Sequence, residues 1–102
     1  MKTILISGGK GKFAKTISEI RSNYKIISPS KKEMNVQNLS SILNFINKKK
    51  IDYFIHSAAF TTPMKNHEIE IEKSISTNII GSANVTLASI KRNIKLIYIS
   101  TN

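Results

Sequence analysis

Residues 2–14 read K-T-I-L-I-S-G-G-K-G-K-F-A, and their order decides the fold. Ile4, Leu5 and Ile6 form an unbroken apolar run, the mark of a strand covered on both faces rather than on one. Gly8, Gly9 and Gly11 follow at once, and from Lys12 to Arg21 the apolar residues Phe13, Ile17 and Ile20 fall at helical spacing. A strand that turns through glycines into a helix suits a diphosphate. Gly8 lets the chain leave the strand, Gly11 lacks the Cβ that would keep a phosphate from the helix amino end, and Ala14 is small enough for that helix to pack on the sheet. No G-K-[ST] follows the glycines, which weighs against a nucleoside-triphosphatase loop. Taken alone, a tight turn without a ligand is the competing reading.

Outward from this stretch the elements alternate. Tyr24 to Ser28, with Ile26 and Ile27, reads as a second strand ended by Pro29. Residues 31–36 are polar loop, with Met34 to Val36 as a third, very short strand. From Gln37 to Lys49 the residues Leu39, Ile42, Leu43 and Ile46 make one helical stripe, and Lys48, Lys49 and Lys50 close it. Cations there complement the helix dipole and need no ligand. Tyr53 to His56 is a compact strand followed by Ser57, Ala58 and Ala59, and a loop surrounds Pro63. His67 to Arg92 predicts a long helix with Ile71, Ile75, Ile79, Val85 and Ile90 on its apolar stripe and Gly81 as its weak point. Leu96 to Ile99 is the last strand. Strands alternating with helices predict an α/β domain over residues 1–102, a doubly wound parallel sheet of order 3-2-1-4-5 that is incomplete at its carboxyl end.

Composition narrows the function classes. A chain of 102 residues accommodates one domain, and 40% hydrophobic residues suffice for a core. With no cysteine and two histidines, disulfides and cysteine zinc sites are excluded and a metal centre is poorly supplied. The net charge of +10 invites a nucleic-acid reading, but the cations are lysines except Arg21 and Arg92, and aromatics are few. Ile, Lys and Asn share AT-rich codons, so genomic bias is the simpler source of the charge, and nucleic acid ranks last among the expected partners. Met1 to Ser7 is no signal peptide, and no stretch reaches the ~18 apolar residues of a membrane span, so a cytoplasmic location is expected. The N-x-[ST] triplets at Asn38 and Asn84 fall inside expected helices and are read as chance.

Four segments resemble one family. Ser7 to Ala14 is similar to the T-G-x-x-G-x-x-G motif of the extended short-chain dehydrogenase/reductases, the NAD(P)-dependent nucleotide-sugar epimerases, dehydratases and reductases. Ile51 to Thr61, I-D-Y-F-I-H-S-A-A-F-T, resembles their P-D-x-V-I-H/N-x-A-A segment. Asn78, Gly81 and Asn84 resemble their N-x-x-G-x-x-N helix, and Ile97 to Thr101 resembles the strand ending in S-T or S-S. Within the group, A-A-F-T and I-S-T-N are most similar to dTDP-4-dehydrorhamnose reductases. The resemblance implies a Rossmann-type NAD(P)-binding domain.

It also implies the roles of individual residues. Gly8, Gly11 and Lys12 would lie against the cofactor pyrophosphate, Phe13 would also bind the cofactor, and Ala58 and Ala59 would line the adenosine and ribose side. Ser100 and Thr101 would sit at the nicotinamide, with Thr101 the stronger candidate for polarising a substrate carbonyl. After the second strand an acid commonly holds the ribose hydroxyls of NAD, whereas NADP needs cations. Ser30, Lys31 and Lys32 come before any acid, so NADP is favoured over NAD, with solvated loop lysines as the alternative. Asn35 takes the place of an aspartate that bonds the adenine amino group. His56 reads as a structural hydrogen-bonding residue rather than a base, and Glu68, Glu70 and Glu72 fan around a helix without converging.

The family's proton donor is the tyrosine of a Y-x-x-x-K pair. Tyr24, Tyr53 and Tyr98 are followed four residues later by Ser28, Ser57 and Asn102, so none has the lysine. The chain alone is therefore not expected to turn over substrate. It is expected to be the amino-terminal, cofactor-binding part of a longer enzyme without the substrate domain, or a noncatalytic dinucleotide-binding module. The apolar strand at Leu96 to Ile99 would be an open sheet edge, which native proteins avoid, so a second copy or a complementing chain is expected beside it. A nucleotide-sugar substrate is expected only in the completed enzyme.

Overall fold

The computed structural model describes residues 1–7, 23–59 and 68–101, without the side chains of residues 57–59, 68–77, 100 and 101. The described elements are β1 (Lys2–Ser7), β2 (Tyr24–Ile27), α1 (Leu39–Asn47), β3 (Tyr53–Ala59), α2 (Glu68–Lys91) and β4 (Lys95–Thr101). The four strands form one parallel sheet in the order β2-β1-β3-β4. This is the expected doubly wound arrangement. The helix expected from Lys12 lies outside the described residues.

Side chains alternate across the sheet. Leu5 and Phe54 are fully buried on one face with Met34, Ile42, Ile46, Ile51, Val85 and Ala88. Ile6 and Ile55 are buried on the other, with Ile4, Ile26 and Ile99 packed beside them. Burial on both faces is what the continuous run at residues 4–6 requires. Asn38 caps α1, its side-chain oxygen accepting from the Ser41 N–H, and Ile42 and Ile46 turn into the core from the stripe expected there.

Two expectations are corrected. Met34 to Val36 is not a strand, because its amides are spent locally. The N–H groups of Glu33 and Met34 donate to the Ser30 carbonyl, at 3.0 and 2.9 Å, and the Asn35 N–H donates to the Ser41 hydroxyl at 2.9 Å. Nor does α2 bury Ile79 and Ile90 of its expected stripe, although Val85 of that stripe is buried. Ile79 and Ile90 are 60% and 71% exposed, while Gly81, Val85, Ala88 and Ser89 face inward. The helix lies close to what it covers, and small side chains permit that approach.

At the amino end of the sheet Asp52 is bonded both ways to Thr3. Its N–H donates to the Thr3 carbonyl at 3.0 Å, and its carboxylate accepts from the Thr3 N–H at 2.7 Å. At the end of α2 Asn93 adopts a left-handed conformation, φ 54°, and the Ile94 N–H reaches back to the Ser89 carbonyl at 2.8 Å. That closes the helix in the manner a glycine usually does. Arg92 donates to the Asn47 side chain, joining the carboxyl ends of the two helices.

β4 is the last strand of the described sheet, and Ile97 and Tyr98 on it are 40% and 48% exposed. Among the described residues no helix is long and apolar enough to cross a membrane.

Candidate functional site

The sheet reverses its winding between β1 and β3. The crossover after β1 leads to β2 on one side, and the next strand, β3, pairs on the other side of β1. Ligands of open parallel sheets bind outside the carboxyl ends of the strands at such a reversal. Ser7 ends β1 there, and Gly8, Gly11, Lys12 and Phe13, which follow it, lie outside the described residues.

β3 and β4 extend farther toward this edge than their apolar cores suggest. Ala58 pairs in register with Ser100, and Ala59 with Thr101. Two small residues of one strand therefore stand beside two hydroxyl residues of the next. These four positions, inferred separately from resemblance, belong to one local surface of the sheet.

The loop after β2 carries the other candidates. Ser30 and Glu33 bond reciprocally. The Ser30 N–H donates to the Glu33 carboxylate at 3.0 Å, and the Glu33 N–H donates to the Ser30 hydroxyl at 3.3 Å. The backbone bond from Ser30 is the first cause holding the exposed Glu33 carboxyl below its ordinary range. Lys31 and Lys32 project into solvent between them. The Asn35 side-chain carbonyl accepts from the Gln37 N–H at 3.0 Å, which leaves a second lone pair for another donor.

Two residues of α2 explain how this loop is held to the sheet. A Cβ on Gly81 would stand 3.0 Å from Val36 Cγ2, and the Asn84 side-chain amide donates to the Val36 carbonyl at 2.9 Å. Gly81 is therefore a point of close approach, not a weak point of the helix. It and Asn84 fix the chain one residue past Asn35.

His56 lies at the centre of the reversal. The register places Ser7, His56 and Tyr98 side by side across β1, β3 and β4. The Ser7 hydroxyl bonds His56 Nδ1 at 2.5 Å, and Nε2 bonds the Ser82 hydroxyl of α2 at 3.2 Å. The Tyr98 ring packs at 5.8 Å. Burial pushes the imidazole below its ordinary histidine range, so it is neutral, donating from one nitrogen and accepting at the other. Both hydroxyl partners escaped sequence analysis. Ser82 carries no periodic or compositional signal, and only the register reveals that Ser7 meets the ring.

Among the described residues there is no group of three or more His, Cys, Asp or Glu able to hold a metal ion. At the carboxyl edge the backbone register places the hydroxyl residues Ser100 and Thr101 beside Ala58 and Ala59.

The family model described as RmlD substrate binding domain matches residues 1–102. A dTDP-4-dehydrorhamnose reductase from Aggregatibacter actinomycetemcomitans is 23% identical over 105 residues, covering 100% of this chain and 35% of that protein. Among solved structures, dTDP-4-dehydrorhamnose reductase from Bacillus anthracis in complex with NADP is similar with a TM-score of 0.82 and 28% identity, over 96% of this chain and 36% of the other. A GDP-L-fucose synthetase from Naegleria fowleri bound to NADP shares the fold, with a TM-score of 0.74 and 22% identity over 95% of this chain and 30% of the other. The chain thus spans about a third of the length of the relatives it matches.

Proposed function

Because the chain belongs to the RmlD substrate binding domain family, whose model matches it from end to end, we propose that it is the NADP-binding part of a nucleotide-sugar reductase. The observation that carries this reading is the pairing of Ala58 with Ser100 and Ala59 with Thr101 at the carboxyl edge, beside the strand that leads into the glycine run. The loop after β2 suits the phosphorylated cofactor. Its lysines are exposed, and the one acid, Glu33, is turned onto Ser30.

In the completed enzyme, bound NADPH supplies the hydride that reduces a sugar carbonyl carbon. Gly8, Gly11 and Lys12 would hold the diphosphate, with Phe13 also against the cofactor, Ser30, Lys31 and Lys32 would hold the 2′-phosphate, and Asn35 the adenine amino group. Ala58 and Ala59 leave room for the adenosine and ribose. Thr101, with Ser100 beside it, donates a hydrogen bond to the carbonyl oxygen as negative charge develops there. The proton for that oxygen comes from a residue outside this chain, since no tyrosine here is followed by lysine four residues later. The open edge of β4 is where the companion part of the enzyme, from a longer chain or a second one, adds its structure.

A second reading is a module that holds the dinucleotide without turnover. The coding frame downstream of Asn102 separates the two: a Y-x-x-x-K motif supports the enzyme, and a stop supports the module. Titration of the chain with NADPH and NADH tests what both readings share. Tighter binding of NADPH is expected, and equal, negligible binding of both dinucleotides would overturn the assignment.

A further inference from the structure

We propose that Glu33 is the positioning residue for NADPH discrimination: its carboxylate, by accepting the Ser30 N–H, holds closed the turn that presents Lys31 and Lys32 to the 2′-phosphate. The inference rests on the functional reading above, because it concerns how the loop after β2 meets the cofactor.

Three observations carry it. First, burial anchors the turn at both of its ends. Pro29 before it is buried, and Met34 after it is 3% exposed in the core that holds Leu5 and Ile42. Lys31, Lys32 and Glu33, between those anchors, are exposed. Second, Ser30 is bonded across the two lysines to the residues that follow them. Its carbonyl accepts from the N–H groups of Glu33 and Met34, its hydroxyl accepts from the Glu33 N–H at 3.3 Å, and its own N–H donates to the Glu33 carboxylate at 3.0 Å. The last two bonds are the reciprocal pair of a capping box. Third, among the residues whose side chains are described, the other carboxylate is Asp52, which accepts from the Thr3 N–H at the opposite end of the sheet. Glu33 is thus the one described acid beside the two lysines, and its carboxylate is committed to a backbone amide.

The physical need lies in the lysines themselves. An ammonium on a flexible four-carbon stem reaches a phosphate from many directions, so the backbone must fix where the stem departs. A turn that is closed in a fraction of the molecules weakens the ligand it serves by that fraction. Without the carboxylate the turn keeps its bonds to the Ser30 carbonyl and hydroxyl but loses the one that holds the Ser30 amide. Glu33 closes the turn without touching the ligand. NADH carries no 2′-phosphate to meet the lysines, so its affinity does not sense the change.

Glutamine keeps an acceptor oxygen at the same reach and removes the charge, whereas alanine removes both. Comparing the two variants therefore cancels the effect of the charge and leaves that of the bond. Fluorescence titration of the 102-residue chain with NADPH and NADH is expected to show the wild-type preference for NADPH kept in Glu33→Gln and reduced about fivefold in Glu33→Ala, with NADH affinity unchanged in both. Equal NADPH affinities of the two variants would mean that charge alone matters, or nothing at this position does. A loss in Glu33→Ala shared by both dinucleotides would mark a merely structural residue. Either result overturns this inference while leaving the functional reading intact. A wild-type chain that binds neither dinucleotide, or both equally, overturns the two together.

Discussion

Gly81 of α2 and Val36 of the loop before α1 approach so closely that a Cβ on the glycine would stand 3.0 Å from a methyl carbon of the valine. Helix propensity favours alanine over glycine by roughly 1 kcal/mol, yet this contact opposes any side chain at 81. Gly81→Leu is expected to lower stability by about 2 kcal/mol, the scale of overpacking in a filled site. In a Val36→Ala background the loss is expected to shrink by half or more. A double-mutant cycle by urea denaturation measures that coupling, and strict additivity would mean the two residues do not compete for the same space.

The neutral, buried state of His56 gives stability a specific pH dependence. Its folded-state pKa lies below the ordinary 6.5, so between the two values the unfolded chain binds more protons than the folded one. The contribution is complete above pH 6.5 and is lost as pH falls from there toward the folded-state value. Tyr98 of β4 is the titratable ring facing it, and Ser7 and Ser82 are its hydroxyl partners. Subtracting the unfolding profile of His56→Asn from that of wild type is expected to isolate this loss between pH 8 and 5. Parallel profiles would show that the imidazole titrates alike in both states.

Discrimination between the two dinucleotides should reside in the exposed lysines after β2. The double substitution Lys31→Glu and Lys32→Glu is expected to weaken NADPH about tenfold or more and to change NADH little, because only the former carries a 2′-phosphate. The NADPH affinity of wild type should fall with added salt more steeply than that of the double variant. Isothermal titration at two salt concentrations checks both statements.

Asn93 should tolerate glycine and reject a branched side chain. Its φ of 54° lies in the left-handed region, where asparagine is accepted and a β-branched residue is strained. Asn93→Val is expected to cost about 1–2 kcal/mol, and Asn93→Gly to match or slightly exceed wild-type stability. Thermal unfolding of the two variants side by side decides this.

Apolar runs made the strand cores legible in sequence. β1 spans Lys2–Ser7 as read, but β3 and β4 continue through Ser57, Ala58 and Ala59 and through Ser100 and Thr101, which hydrophobicity does not mark. Backbone pairing between neighbouring strands extends them, and that is a relation between distant residues. For the same reason the stripe of α2 holds in Val85, which is buried, but not in Ile79 and Ile90. Ile79 and Ile90 are the more hydrophobic residues, but the close approach of Val36 selects glycine at position 81, on the inward face. Of the candidate site, the loop lysines and the Ala58–Thr101 corner could be inferred from motifs. The tie from Ser7 through His56 to Ser82 could not, since it joins three elements by side chains whose spacing in sequence carries no period.

The reciprocal bonds between Asp52 and Thr3 give the sheet a clasp at the pole away from the proposed chemistry. Strand alignment is locked there, by backbone and carboxylate together, where no ligand is expected to arrive. Residues at the opposite rim are then free to diversify, because exchanging them leaves the mutual alignment of β1 and β3 in place. One framework of this kind can accept different ligands by altering its rim alone.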